Sequence, residues 1–243
     1  MDDDLARARR SRMRWNIPLS AGHLDLLLDR LSLAAAGRVA DLGCGWGEPL
    51  MRAVERTDAA AGVGVDNDPV VLERGRAEAR RRGLGERIEL VQADAAGWAG
   101  TADRALCVGS AHALGGTRAA LSALAGVVPH GGRLLYGDGC WPGPPTAAAL
   151  DVFGDAILPL PDLIDAARAA GWRVLHLSAA DQREWDDFES ASRAGWQEWV
   201  LANGTDPRAA EIRAWLDARE REYLRGYRGV LGFAYLVLGR EAG

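Results

Sequence analysis

Three closely spaced glycines follow a run of apolar residues near the start of the chain. Gly43, Gly45 and Gly47 come directly after the apolar stretch, and a helical pattern begins behind them at Glu48. Glycine permits a positive φ and lets a ligand approach the backbone closely. The helix that follows offers unpaired N–H groups and the positive end of its dipole. This arrangement predicts a ligand-binding turn at the carboxyl edge of a parallel sheet.

Two aspartates at the next predicted strand ends indicate what the turn binds. The spacing G-x-G-x-G differs from the G-x-G-x-x-G spacing of nicotinamide dinucleotide enzymes. Asp66 follows about 20 residues later, at the end of strand two, where its carboxylate can accept both ribose hydroxyl protons. Asp94, just after strand three, is placed to meet an adenine amino group. Either aspartate alone could cap a helix, but the three features in order favour an adenosine ligand.

Alternating short apolar strands and helical patterns position these residues. Ser20 and Asp68 are expected helix N-caps, and Pro49 and Pro69 suit the first turn of a helix. The alternation is typical of βα units around a parallel sheet. We predict strands at 38–42, 61–65, 87–93, 102–108, 133–136, 172–177 and 229–238. We predict helices at 20–33, 48–56, 68–82, 117–127, 161–170, 182–201 and 207–225, with a charged helix over 2–14.

Several further segments resemble one family. They are similar to the class I S-adenosylmethionine-dependent methyltransferases, especially small bacterial ones. Besides the glycine turn, the similar segments are residues 15–20, 62–69, 91–95, 109–116, 129–135 and 226–238. The resemblance extends over nearly the whole chain. It implies a single α/β domain over 1–243, with a Rossmann-like, seven-stranded, mostly parallel sheet and helices on both faces. The last strand is expected to be antiparallel, inserted between strands five and six.

The resemblance also implies a cofactor and the residues that hold it. The implied cofactor is S-adenosylmethionine, and the implied product is S-adenosylhomocysteine. By analogy, Asp41 and Gly43 lie near the methionine moiety, Asp66 binds the ribose, and Asp94 and Ala95 hold the adenine. The full set of expected cofactor-binding residues is Asp41, Gly43, Cys44, Gly45, Gly47, Asp66, Asn67, Asp94, Ala95 and Gly109.

The loop after strand four narrows the class of acceptor. Enzymes that methylate amino groups of DNA bases carry an Asn/Asp-Pro-Pro-aromatic stretch there. Protein arginine methyltransferases carry paired glutamates, and metal-dependent catechol methyltransferases need carboxylates and an asparagine for magnesium. Residues 107–112 supply none of these sets. We therefore expect methyl transfer to O or N of a small molecule, such as a specialised metabolite, with no metal ligands.

His112, in the same loop, is the candidate catalytic residue. Methyl transfer is an in-line displacement, so alignment carries much of the rate, and a base is needed only where the nucleophile must lose a proton. Imidazole titrates near neutral pH, which suits His112 to that role. A hydrogen bond to the acceptor and a structural loop role remain open for it. His130 and His176 are expected to be structural, and His23 either structural or functional.

Two segments are expected to cover the site. Residues 1–33 form a predicted N-terminal helical cover, and residues 181–228 form a two-helix lid inserted between the last two strands. Because parallel strands end at the cofactor edge, the lid should lie above the substrate pocket and exclude water. Its aromatics suit an apolar acceptor, although aromatics at helical spacing also pack helices onto a domain. The expected substrate-binding residues are Trp15, His112, Trp141, Trp185, Glu189, Trp196, Tyr223 and Tyr227.

Composition bounds the partners and the compartment. The 243-residue chain has 29 basic residues, all arginine, against 34 acidic ones, and the net charge of −5 disfavours a broad nucleic-acid surface. The three scattered cysteines make no disulfide framework. There is no apolar run of about 18 residues, and the acidic N-terminus does not resemble a secretory signal. We expect a cytoplasmic monomer or homodimer with a small-molecule acceptor and no nucleic-acid or membrane partner.

A second class of function would use the same cofactor residues. A regulatory or assembly partner, or a catalyst of a reaction other than methylation, binds the cofactor without transferring its methyl group. A methylated product, or a stoichiometric rise in S-adenosylhomocysteine, distinguishes the two classes. A nicotinamide oxidoreductase is disfavoured by the glycine spacing.

Overall fold

The predicted strands form one sheet in the computed structural model, which describes residues 5, 8–58 and 60–242. The strands are β1 (Arg38–Leu42), β2 (Ala61–Asp66), β3 (Ile88–Gln92), β4 (Arg104–Val108), β5 (Arg133–Trp141), β6 (Leu158–Pro159), β7 (Arg173–Ala179) and β8 (Gly232–Gly239). Their order is β3-β2-β1-β4-β5-β8-β7, with β8 antiparallel to β5 and β7 and with β6 paired beside β5. The Rossmann-like, mostly parallel sheet and its antiparallel last strand are confirmed.

Helices cover both faces of the sheet. One hydrophobic cluster includes side chains of the first three helices, and a second cluster on the other face includes side chains of the fourth and sixth. The helices are α1 (Ala21–Asp29), α2 (Glu48–Glu55), α3 (Pro69–Arg81), α4 (Thr117–Val127), α5 (Ala147–Phe153), α6 (Leu160–Ala169), α7 (Gln182–Ala202) and α8 (Ala209–Glu222).

The carboxyl ends of β1 and β2 lead into helices through the expected caps. The strands are buried on both sides, which is why they read as continuous apolar runs. Gly47 takes a left-handed conformation as the N-cap of α2, and Pro49 lies in the first turn. The Asp68 carboxylate accepts the Val70 N–H at 2.9 Å and caps α3.

The region after β4 contains the clearest departures from the predicted elements. β5 continues five residues beyond its predicted end, because Gly137 and Gly139 keep pairing with β8. Glycine within a strand weakens it, so residues 137–141 carry no strong strand signal in the sequence. Helix α5 and the two-residue β6 were not predicted. Thr146 caps α5 by accepting the Ala149 N–H at 3.2 Å, directly after a Pro/Gly-rich loop.

The N-terminal cover is only partly helical. Of the predicted helix over 2–14, residues 5, 8 and 9 are helical, residues 2–4, 6 and 7 lie outside the described residues, and residues 10–20 form turns, bends and irregular chain. The Ser20 hydroxyl accepts the His23 N–H at 3.2 Å and begins α1 as predicted. The helix ends at Asp29, earlier than predicted, and Ser32 follows with a left-handed φ of 53°.

The predicted two-helix insertion lies in the chain between β7 and β8. Helix α7 begins with a capping box, in which Asp181 and Glu184 each accept the other's backbone N–H. Helix α8 runs into a π turn at Tyr223–Tyr227. In the described part of the chain, no helix has the length and apolar character needed to cross a membrane.

Candidate functional site

The glycine turn after β1 is held open by hydrogen bonds to the end of β2. Gly43 and Cys44 donate their N–H groups to the Val65 carbonyl at 2.8 and 3.0 Å. The Asp66 carboxylate accepts the Gly45 N–H at 2.8 Å. Gly43, Gly45 and Gly47 all have positive φ, as predicted for a turn that needs glycine. Asp66 therefore fixes the turn as well as facing the site, a structural role that its spacing alone did not reveal.

The turn after β4 packs directly against the glycine turn. A side-chain Cβ at Gly43 would lie 2.2 Å from Cβ of Ser110, so no larger residue fits there. The Ser110 hydroxyl is buried and donates to the Leu42 carbonyl at 2.6 Å. Ser110 thus ties β1 to the loop that carries His112, and its hydroxyl is committed to the backbone.

A cavity of about 490 Å³ lies at the carboxyl ends of β1 to β4. Asp41, Asp66 and Asp94 line it from three successive strands. Nine of the ten expected cofactor-binding residues are on its lining; Gly47 is not, because it forms the left-handed N-cap of α2 behind the turn. The nine are Asp41, Gly43, Cys44, Gly45, Asp66, Asn67, Asp94, Ala95 and Gly109.

Two buried groups on the lining stay protonated near neutral pH. Burial and repulsion from Asp66 raise the pKa of Asp41 from 3.8 to about 8. Burial, together with the charges of Asp41 and Asp66, also raises the pKa of the Cys44 thiol. The thiol is therefore a poor nucleophile, whereas Asp41 becomes an anion when a cation approaches it.

The N-terminal segment, by which we mean the described residues before α1, forms one wall of the cavity. Arg10, Trp15, Asn16 and Ile17 line it, but only Trp15 was expected there. The Trp15 indole N–H donates to the Leu19 carbonyl at 2.6 Å, so its ring is fixed within the segment itself. Arg10 and Asn16 lie in the predicted cover but were not expected to line the cavity, because an irregular segment has no hydrophobic period that assigns its side chains to a face.

Contacts from α3 and the glycine turn hold this segment in place. Arg74 donates to the carbonyls of Arg10 and Met13 at 3.0 and 2.7 Å, and its guanidinium stacks over the Trp46 ring at 4.1 Å. The Trp46 indole N–H donates to the Arg14 carbonyl. The tryptophan of the glycine turn therefore anchors the cover over the cavity.

His112 lies on the cavity wall, on a short 3₁₀ helix (Ala111–Leu114) after β4. Its side chain is exposed, so a ligand in the cavity can reach the imidazole. The other histidines have structural contacts: His23 bonds Glu184 and Ser178, and His130 bonds the Glu241 carbonyl at 2.9 Å. His176 lies on edge strand β7.

Six of the eight expected substrate-binding residues lie away from the lining of this cavity. Trp196 faces the N-terminal segment: its indole N–H donates to the Leu5 carbonyl at 2.9 Å, and its ring packs on Trp215 at 4.8 Å. Trp196 was expected to bind the substrate, but its ring instead packs the lid against the N-terminal segment. The other five form a separate buried cluster, and they are Trp141, Trp185, Glu189, Tyr223 and Tyr227.

Metal and disulfide chemistry have little support in the described residues. No group of three or more His, Cys, Asp or Glu side chains among them is arranged to hold a metal ion. Cys44, Cys107 and Cys140 are free and buried.

Comparison with known proteins decides the family. The sequence profile of a family described as a methyltransferase domain matches residues 39–132. The uncharacterised protein YjhP of Escherichia coli K12 is 32% identical over 215 residues, 86% of each chain. Crystal structures of methyltransferases from Geobacter sulfurreducens and Thiobacillus denitrificans, both dependent on S-adenosylmethionine, superpose with TM-scores of 0.86. They are 28% and 29% identical over 99% of both chains, and each contains S-adenosyl-L-homocysteine.

The chain belongs to the class I S-adenosylmethionine-dependent methyltransferases. Its cofactor is S-adenosylmethionine, and the cavity suits that molecule. The cofactor carries ribose hydroxyls, an ammonium and a sulfonium, and Asp41 and Asp66 supply carboxylates for donors and cations. A Cβ at Gly45 would meet no atom of the described residues within 4 Å, so the turn leaves space on that side.

Proposed function

We propose that the protein transfers the methyl group of S-adenosylmethionine to O or N of a small molecule by in-line displacement. The observation that carries the proposal is that the strand-end carboxylates and His112 line the same cavity. Asp41, Asp66 and Asp94 hold the cofactor there, while the loop after β4 faces the acceptor. The cofactor, when bound, supplies a methyl group on a positively charged sulfur.

The protein's own residues mainly align the reactants and exclude water. The N-terminal segment covers the cavity with Trp15 and Ile17, which limits the access of water to the bound cofactor. His112 is placed to accept a proton from an O–H or N–H nucleophile or to hold the acceptor by a hydrogen bond. Ser110 takes no part as a base, because its hydroxyl donates to Leu42.

The acceptor class follows from the same loop. Residues 109–112 supply neither a carboxylate pair for a guanidinium nor a metal-binding set, and the net charge of −5 disfavours nucleic acid. A small molecule, including a specialised metabolite, is the acceptor that remains.

We also propose a cytoplasmic monomer or homodimer that acts without a membrane partner; light scattering of the purified protein measures its mass.

Calorimetry with S-adenosylmethionine tests cofactor binding, and the formation of S-adenosylhomocysteine in the presence of candidate acceptors tests transfer. His112→Ala is expected to lower turnover at least about tenfold while cofactor affinity changes little. Unchanged turnover would remove His112 from the chemistry. Binding without any methylated product across acceptor classes would instead favour the alternative, a cofactor-binding protein that does not transfer methyl.

A further inference from the structure

Six aromatic side chains, four of them buried and two half-buried, form a cluster where the lid meets the sheet. We call it the lid cluster, and its members come from β5, α5, α7 and the π turn. Tyr227 lies at its centre, with ring centroids 5.0 Å from Phe153, 6.2 Å from Trp185 and 5.2 Å from Tyr223. Neighbouring rings meet edge to face, which is the geometry of packed aromatics. The members are Trp141, Phe153, Trp185, Phe188, Tyr223 and Tyr227.

The lid cluster continues into the wall of the cofactor cavity. A Cβ at Gly137 would lie 2.6 Å from Val108 and 3.0 Å from Phe233. A Cβ at Gly109 would lie 2.6 Å from Ile17 and 3.8 Å from the same phenylalanine. Val108, Gly109 and Ile17 all line the cofactor cavity. Phe233 and Ile17 belong to the same hydrophobic cluster as the buried members of the lid cluster.

Three buried side-chain atoms of α7 have no hydrogen-bond partner among the described residues, and one of them, Nη1 of Arg193, lies 3.0 Å from Glu220 in an ion pair. Glu189 is 1% exposed, and its Oε1 accepts the Tyr227 hydroxyl and an Arg219 N–H. Its Oε2 is buried and unpaired, as is Nε1 of Trp185. The two residues are four positions apart on α7, so they share one helix face. A buried acceptor left unpaired is destabilising, so Oε2 favours a ligand that brings a donor.

The local backbone also departs from regular helix at this point. Tyr223–Tyr227 form a π turn, and this turn places the Tyr227 hydroxyl against Glu189. π turns inside or after α-helices occur frequently at functional sites. The Tyr227 hydroxyl stays protonated, because burial and the hydrogen bond to Glu189 raise its pKa. It therefore donates to the carboxylate, which keeps Glu189 available as an acceptor.

Charge at the lid favours a cation as the donor to Oε2 of Glu189. Three ion pairs join α7 to α8 or to the chain after the π turn, and they contain three carboxylates and three guanidiniums. A fourth pair, Arg219–Glu222, lies within α8 and adds one carboxylate. Arg219 is shared between Glu189 and Glu222, which leaves one negative charge in excess. The Arg219 guanidinium also stacks over the Tyr227 ring at 5.5 Å, so this site already accommodates a cation on an aromatic face.

We propose that the lid cluster is the acceptor-binding site and that the acceptor carries a ring-sized apolar body and a protonated amine, which donates to Oε2 of Glu189. This inference rests on the proposed methyl transfer. A protonated amine has no free electron pair, so this group anchors the acceptor, and the atom that receives the methyl lies at the Gly109 end. Because the rings pack closely, the acceptor enters as the lid moves outward.

Three small probes with one body test the chemistry. 2-Phenylethylamine, 2-phenylethanol and phenylacetate share a ring and differ in charge. With the enzyme saturated with S-adenosylhomocysteine, calorimetry is expected to show the amine binding at least about tenfold more tightly than the alcohol, with phenylacetate weakest. Glu189→Gln should abolish the amine's advantage. Asp187→Asn, the same charge change at an exposed position of α7, should preserve it.

The controls separate this inference from the proposed function. S-adenosylhomocysteine binding is measured first, and its absence would refute the methyltransferase proposal itself. If the cofactor product binds but amine and alcohol bind equally, or none of the probes binds, the inference is wrong. The inference is also wrong if the Glu189→Gln variant prefers the amine over the alcohol as strongly as the wild type does. Should Glu189→Gln fail to fold, the wild-type selectivity alone decides.

Discussion

At the residue scale, Asp41 links protonation to cofactor binding. Its carboxyl is 4% exposed, and its pKa is raised to about 8 by burial and by Asp66. A cationic cofactor beside it favours the anion, so binding releases a proton. We predict that affinity for S-adenosylmethionine rises with pH until the pH exceeds about 8. Calorimetry in buffers of different ionisation enthalpy measures the released proton. The Asp41→Asn variant should bind S-adenosylmethionine weakly and without this proton release.

The same residue is expected to lower the stability of the free protein. The folded pKa of Asp41 exceeds its ordinary value, so folding retains a proton that the unfolded chain loses. Its contribution to stability therefore falls as pH rises from about 4 to about 8. We predict that Asp41→Asn raises the midpoint of thermal unfolding by at least about 2 °C at pH 8. Calorimetric scans at pH 5 and pH 8 check it: a gain no larger at pH 8 than at pH 5 contradicts the prediction.

At the element scale, strand ends made the cofactor site predictable. Parallel strands bring their carboxyl ends to one edge, so the positions of Asp41, Asp66 and Asp94 in sequence were enough to place them together. Helix faces were harder to predict, because an amphipathic lid helix has more than one apolar neighbour. Trp185 and Trp196 lie on the same helix, yet one packs toward Tyr227 and the other toward the N-terminal segment. Only tertiary packing distinguishes them.

Helices α1 and α7 are joined by one buried carboxylate. Glu184 accepts the Ser20 N–H at 2.8 Å and contacts Nδ1 of His23 at 3.1 Å. Burial opposes its ionisation, but the hydrogen bonds from His23 and Ser20 outweigh burial and lower the pKa of Glu184 from 4.5 to about 2. The resulting stability is complete above pH 4.5 and is lost as the pH falls through about 2.

Glu184→Gln is therefore expected to reduce the free energy of unfolding by about 1 to 3 kcal/mol at pH 7. Because acid also neutralises the wild-type carboxylate, the difference between the two proteins should shrink as the pH falls toward 2. Urea titrations at neutral and acidic pH measure it. Asp187→Asn, exposed on the same helix, should stay within about 0.5 kcal/mol of wild type. A pH-independent loss would mean that packing, rather than charge, holds the two helices together.

At the scale of the whole molecule, the N-terminal segment connects the cofactor cavity to the lid. On one side it is held by Arg74 and by the Trp46 indole. On the other side, Arg12 pairs with Glu198 of α7 at 2.6 Å. The backbone of Ala8 also lies against α7, at Gly195. The cofactor wall and the lid therefore share one element, and a disturbance at the lid is transmitted to the cavity through this segment.

Gly195→Ala tests that connection from a position off the cavity lining. A Cβ there would lie 1.8 Å from the Ala8 carbonyl oxygen, a backbone atom, so the segment must shift. We predict that affinity for S-adenosylmethionine falls by about tenfold, because Arg10, Trp15 and Ile17 move with it. Gly126→Ala is the matched control: it also replaces a helical glycine, but its Cβ meets no described atom within 4 Å. Both changes favour helix by up to about 1 kcal/mol, so only the clash separates them.

If calorimetry gives both variants the same cofactor affinity, the segment does not couple the lid to the cavity. Faster hydrogen exchange over residues 8–20 in Gly195→Ala alone would locate the shift directly.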